Sequence, residues 1–212
     1  MITKEMTVHE ALSFLKVADS RIAKELSNAT FCAAVKACSK KVDGIPVEEF
    51  KSNAMAKYQK VTDLINEVNA IKAAINKSNA ETVITVAGKE MSVAEAIYYM
   101  NHGTTIKQIL IDQMEKQMAS SLREVSMKNG RDLDERTDKY MAATFGTKEK
   151  VLSDELRKAQ EDFRNANTYE VVDPIGINEV VSRLRDEVDE FNSSVDAAIQ
   201  MSNASTKITV SF

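Results

Sequence analysis

One stretch of the chain gathers the residue types that grip phosphate. Arg123, Lys128, Arg131, Arg136, Lys139 and Tyr140 fall close together, followed by Lys148 and Lys150. Guanidinium groups fork onto phosphate oxygens and an aromatic ring stacks on a base, so this set suits a nucleotide-like anion. Asp132, Asp134, Glu135 and Asp138 interleave with it. The competing reading is a solvated face of mixed charge, and the acids lack the glycine and spacing of a calcium loop. His102, in Asn-His-Gly-Thr-Thr, falls at an expected helix irregularity, where functional groups collect. His9 reads as an ordinary first-turn residue. These two histidines are the only ones in the chain, and neither stands in a nucleophile–base–orienter pattern. No HExxH and no paired Cys/His spacing marks a metal site. Gly88-Lys89 echoes a phosphate loop weakly, without its second glycine, and ordinary turn chemistry explains it. No catalytic residue, metal ligand or cofactor is assigned.

The remaining composition bounds the class of protein. Of 212 residues, 28 are Lys or Arg and 32 Asp or Glu, a formal charge of −4. Mild acidity argues against general nucleic-acid binding, which calls for a basic excess. Six glycines and two prolines are too few for an all-β sandwich or a disordered chain. Cys32 and Cys38 read as reduced thiols that fill a core, in a cytoplasmic protein. No signal peptide and no membrane span is expected.

The elements that must position these residues come from an internal duplication. KEMTVHEAL at 4–12 returns as KEMSVAEAI at 89–97, and INKSNAETVITV at 75–86 returns as IQMSNASTKITV at 199–210. The chain therefore reads as a single domain of two repeats, 4–86 and 89–210. In each opening motif a hydroxyl and a glutamate three residues on form a capping box: Thr7 with Glu10, Ser92 with Glu95. Helices should start at Val8 and Val93. In each closing motif Asn79 and Asn203 read as left-handed helix stops before β-branched strands at 82–86 and 206–210. Ala87-Gly88 turns the first strand back onto 89–91.

Between these marks lie amphipathic helices. Val61, Leu64, Val68, Ile71 and Ile75 keep a 3-4 spacing, as do Ile177, Val180, Val181, Leu184, Val188, Phe191, Val195 and Ile199. A third helix is expected over about 92–127, interrupted near Asn101-His102-Gly103. A fourth is expected over about 147–166, opened by Thr147. Gly44-Ile45-Pro46 breaks the first repeat, and Tyr169–Pro174 should be extended, because Asp173 precedes a proline. Residues 128–168 form an excursion in the second repeat, with 128–145 read as a polar, weakly periodic loop. The expected fold is mainly α: an antiparallel bundle of long helices with one small sheet at an end.

At these motifs the sequence resembles a helical family of bacterial and phage proteins known as septicolysin-like. The likeness rests on Glu10-Ala11-Leu12, on Ile75–Thr82, and on Asp196-Ala197-Ala198-Ile199 followed by Asn203. It covers most of the chain outside 128–168. The arginine that the family often carries after its EAL segment is missing, since Ser13-Phe14-Leu15 and Tyr98-Tyr99-Met100 stand there. The resemblance implies an all-helical fold with a small β element and no established activity.

Narrow apolar seams with few aromatics need partners, so a homo-oligomer is expected. The functional expectation is a non-enzymatic homo-oligomeric binder. Its sharpest form is a phage protein, acting in the host cytoplasm, that sequesters a nucleotide-derived defence signal between subunits. The alternatives are a structural or adaptor part of a helical assembly or phage particle, and a nucleotide-processing enzyme.

Overall fold

Two hydroxyl residues decide where the first helix of each repeat begins. In the computed structural model, which describes residues 3–146 and 153–212, the Thr7 hydroxyl accepts from the Glu10 amide at 3.2 Å and Glu10 accepts from the Thr7 amide at 2.8 Å. Ser92 and Glu95 repeat this at 3.1 and 2.7 Å. Each box closes a strand onto a helix: β1 (Thr3–Thr7) onto α1 (Val8–Ser27), and β5 (Lys89–Ser92) onto α3 (Val93–Tyr98). These two glutamates sit below the ordinary carboxylate range, chiefly because the cap amide, and then the hydroxyl, donates to the ionised form. Their stabilisation is complete above the ordinary glutamate value and is lost as the pH falls through the lowered folded values. Urea unfolding at neutral and at acid pH should therefore show the advantage of the native chain over E10Q/E95Q shrinking in acid. A gap that stays constant with pH would contradict this.

The remaining elements, in order, are β2 (Lys41–Val42), β3 (Ile45–Pro46), α2 (Val47–Glu81), β4 (Val83–Val86), then after α3 a π turn (Tyr99–Gly103), α4 (Thr104–Asn129), α5 (Arg131–Phe145), α6 (Asp154–Asn167), α7 (Ile177–Ser205) and β6 (Lys207–Ser211). The fold is mainly α with small antiparallel β elements. The described residues fall into two compact units, Met1–His102 with Glu190–Phe212, and Gly103–Asp189. No helix among the described residues is long and apolar enough to cross a membrane.

In the first unit the repeats close on each other. Strand β1 pairs with β6 in the register Lys4↔Val210, Glu5↔Thr209, Met6↔Ile208, and β5 pairs with β4 as Lys89↔Val86, Glu90↔Thr85, Met91↔Ile84. The opening motif of each repeat thus pairs with the closing motif of the other, in the same register. The Val8 amide donates to the Thr206 carbonyl at 3.0 Å, as Val93 does to Thr82 at 2.9 Å. Two matching cores lie beneath the ribbons. Met6, Val8, Ala11, Ile71, Ile75, Ile208 and Val210 form one, with Phe14 and Leu15 against it. Val86, Ala96, Phe191 and Val195 form the other, with Ile84, Met91, Tyr99 and Met100. Helices α1 and α2 run antiparallel, since Val8 and Ala11 meet the end of α2 while Glu25 meets Lys57 and Lys60 near its start.

In the second unit α5 lies between α4 and α6. Leu133, Thr137 and Met141 form its buried stripe, and the Thr137 hydroxyl donates to the Leu133 carbonyl at 2.7 Å. Lys107 pairs with Glu187, and Arg185 with Glu115 at 2.8 Å, tying α4 to α7.

Several expectations are corrected here. The stretch 128–145 is helical on either side of the bend at Gly130, because the i, i+4, i+8 stripe of α5 is narrow enough to hide within a charged sequence. The next helix begins at Asp154 with Ser153 as its cap; Thr147, Lys148 and Lys150 lie outside the described residues. Helices α2 and α7 run past Asn79 and Asn203, to Glu81 and Ser205. Neither asparagine is left-handed. The helix feeds straight into a strand, and the Thr82 and Thr206 amides donate to the Ser78 and Ser202 carbonyls, both at 2.8 Å. The single expected sheet is three separate two-stranded ribbons among the described residues. Cys32 and Cys38 are exposed in an irregular segment and fill no core.

Candidate functional site

The basic stretch is held by the junction of α4 and α5. Gly130 makes that bend with φ −81° and ψ −129°, and a side chain there would press a Cβ to 3.0 Å from the Ser126 carbonyl oxygen. Backbone cannot give way as a flexible side chain does, so G130A should cost about 1–3 kcal/mol in thermal or urea unfolding. An unchanged midpoint would show that the bend relaxes.

Across this bend several cationic groups already have partners within the chain. Arg131 pairs with Glu135 at 2.8 Å and Lys128 with Asp132 at 3.8 Å. Arg136 donates to the carbonyls of Asp132 and Lys128 at 3.2 and 3.3 Å and lies over the Tyr169 ring at 5.8 Å. Tyr140 stacks on Phe163, with centroids 4.3 Å apart and planes 11° apart, so one face of the ring expected to hold a base already carries a phenyl group. Phe145 meets it edge-on at 6.1 Å. Arg123 and Lys139 are exposed. Of the residues that sequence marks as a clamp, Arg136 thus joins α5 to the end of α4 and to Tyr169, and Tyr140 joins α5 to α6, while Arg131 pairs within α5. Sequence reading missed Asn129, whose side chain donates to the Tyr169 carbonyl and accepts from the Tyr169 amide, both at 2.7 Å. It also missed the cap of α7, where the Asp173 carboxylate accepts from the amides of Ile175, Gly176 and Ile177 at 3.2, 3.0 and 2.7 Å. His102 belongs to the first unit, exposed on the π turn, its ring 5.2 Å from that of Tyr98.

A second place has the shape of a site. Where α1 ends, the irregular segment from Asn28, the β2–β3 hairpin and the start of α2 border an open cleft of about 580 Å³. The hairpin turns tightly because Asp43 and Gly44 take positive φ, 45° and 88°. Val42, Ile45 and Phe50 give the cleft an apolar side; Asn28, Thr30, Asp43, Asn53, Lys57 and Lys60 give it a polar one. Lys57 and Lys60 reach the Glu25 carboxylate at 3.4 and 2.6 Å. Lys60 first, and then Lys57, holds Glu25 below the ordinary carboxylate range. Phe50 also lines a neighbouring groove of about 360 Å³ with Phe31, Met55 and Tyr58. The sequence signal for this place is the lysine excess over 28–60, where Lys36, Lys40, Lys41, Lys51, Lys57 and Lys60 outnumber Asp43, Glu48 and Glu49.

Among the described residues no group of three or more His, Cys, Asp and Glu is arranged to hold a metal ion. No family model, no curated protein and no solved structure matches this chain.

Proposed function

We propose that this chain is a non-enzymatic, homo-oligomeric helical protein that binds a small nucleotide-derived ligand without turning it over. The observation that carries self-association is the surface of α4. Ile111 is its one fully buried side chain, while Ile106, Ile109 and Leu110 lie open, Ile109 being 64% exposed. Burying apolar surface is worth about 25 cal/mol per Å², and a second copy brings an identical row, as a two-fold interface requires. Light scattering should give a mass above the 23.5 kDa of one chain, and I109E/L110E should return it to that value. A native chain that stays monomeric at high micromolar concentration overturns the reading.

Binding without turnover suits a sponge, and a phage-encoded chain would use one to withdraw a host's nucleotide signal. Titration calorimetry against cyclic and ADP-ribose-type nucleotides tests this part. The stacked Tyr140–Phe163 pair and the Arg136 carbonyl bonds favour a second reading, a structural component of a helical assembly, because groups suited to an anion are spent on holding helices. An open-ended polymer in place of a small closed oligomer would decide for it.

A further inference from the structure

We propose that the cleft between the end of α1, the β2–β3 hairpin and the start of α2 is the ligand site, and that it takes a planar ring carrying a phosphate. The inference rests on the binding function above and moves its site from α5 to the first repeat. Size agrees, since small-molecule pockets run about 300–1,000 Å³ and this one is about 580 Å³. The chemistry of the lining agrees as well. Phe50 faces it with Val42 and Ile45, an apolar wall against which a heterocycle can lie. Asn53, Lys57 and Lys60 follow Phe50 along the same face of α2, with the amides of Asn28 and Asn53 and the Thr30 hydroxyl available to a sugar or a base edge.

The charge balance gives the inference a distinctive sign. Two ammonium groups share the single carboxylate of Glu25, while Asp43 supplies the other carboxylate of the cleft. Six lysines against three acids give the segment 28–60 a positive excess, in a chain whose net charge is −4. A phosphate arriving at Lys57 and Lys60 competes with Glu25 for the same donors. Removing the Glu25 charge should therefore strengthen binding, whereas removing the lysines should weaken it. A site on α5 would show neither effect.

The test is calorimetry of the full chain with AMP and with ADP-ribose at low salt, where charge pairing is least screened. K57Q/K60Q should weaken binding by about tenfold or more, the usual scale for losing hydrogen bonds to a charged group. E25Q should tighten it, and F50L should weaken it at unchanged salt dependence. R131Q/K139Q, on α5, should leave it unchanged. Circular dichroism of each variant confirms that its helices persist. Binding by the native chain that K57Q/K60Q and E25Q leave untouched overturns the cleft and keeps the binding function. A native chain that takes up neither nucleotide overturns the cleft as a nucleotide site, and if the wider panel of cyclic nucleotides is also silent, the binding function falls with it.

Discussion

F191A is expected to be among the most destabilising substitutions in the chain, at about 3–5 kcal/mol, the usual cost of truncating a buried phenyl ring. Phe191 is 4% exposed and packs with Val86, Ala96 and Val195. Its ring meets that of Tyr99 edge-on, with centroids 4.6 Å apart, a geometry worth about 0.5–1.5 kcal/mol beyond burial. The side chains around it, Val86, Ala96 and Val195 with Ile84 and Met91 of the ribbon, are shorter than a phenyl ring and anchored on other elements, so they refill the space only in part. The first repeat offers a contrast. When Ile75 is matched to Ile199 and Ile71 to Val195, Glu67 stands where Phe191 does, and Phe14 and Phe212 supply the rings of that core. The two cores share a scaffold and fill it with different residues. Thermal unfolding of F191A beside F191L checks the point, since leucine should recover part of the loss. An F191A midpoint within a degree or two of the native one would mean that this core does not bear on the stability of the first unit.

The second large effect is expected at Ile71, which is fully buried. It joins α2 to Val8 and Ala11 of α1 and to Ile208 and Val210 of β6. I71A should cost about 2–5 kcal/mol, transfer and cavity terms together. A two-stranded ribbon is marginal without a surface to cover it, so the damage should show locally too. Hydrogen exchange at the amides of β1 and β6 should quicken more than at those of β4 and β5, whose cover is the other core. Ile65, on the same helix but 42% exposed, provides the control, and I65A should change stability by less than about 0.5 kcal/mol. Equal exchange rates in the two ribbons of I71A would show that the cores unfold as one.

Local chemistry was readable without coordinates. The capping boxes at Thr7 and Ser92 needed only a hydroxyl and a glutamate three residues apart, and the geometry answers to that spacing. The seam residues Val61, Val68, Ile71 and Ile75 are buried because a 3-4 period puts them on one face of a helix. The irregularity at Asn101-His102-Gly103 falls within the π turn. What involved distant partners was not readable. That β1 pairs with β6, and not with its own repeat, depends on bringing residues some 200 positions apart into register. The fate of Arg136 and Tyr140 depended on Tyr169 and Phe163, which no local pattern places beside them. The cleft near Lys57 and Lys60 exists because an irregular segment, a two-residue hairpin and two helices meet there. Capping and periodicity are settled within a few residues of chain, so sequence alone determined where α1 and α3 begin and which face of α2 is buried. Pairing, stacking and cavities are settled by which surfaces the folded chain brings together, and only the tertiary structure decided those.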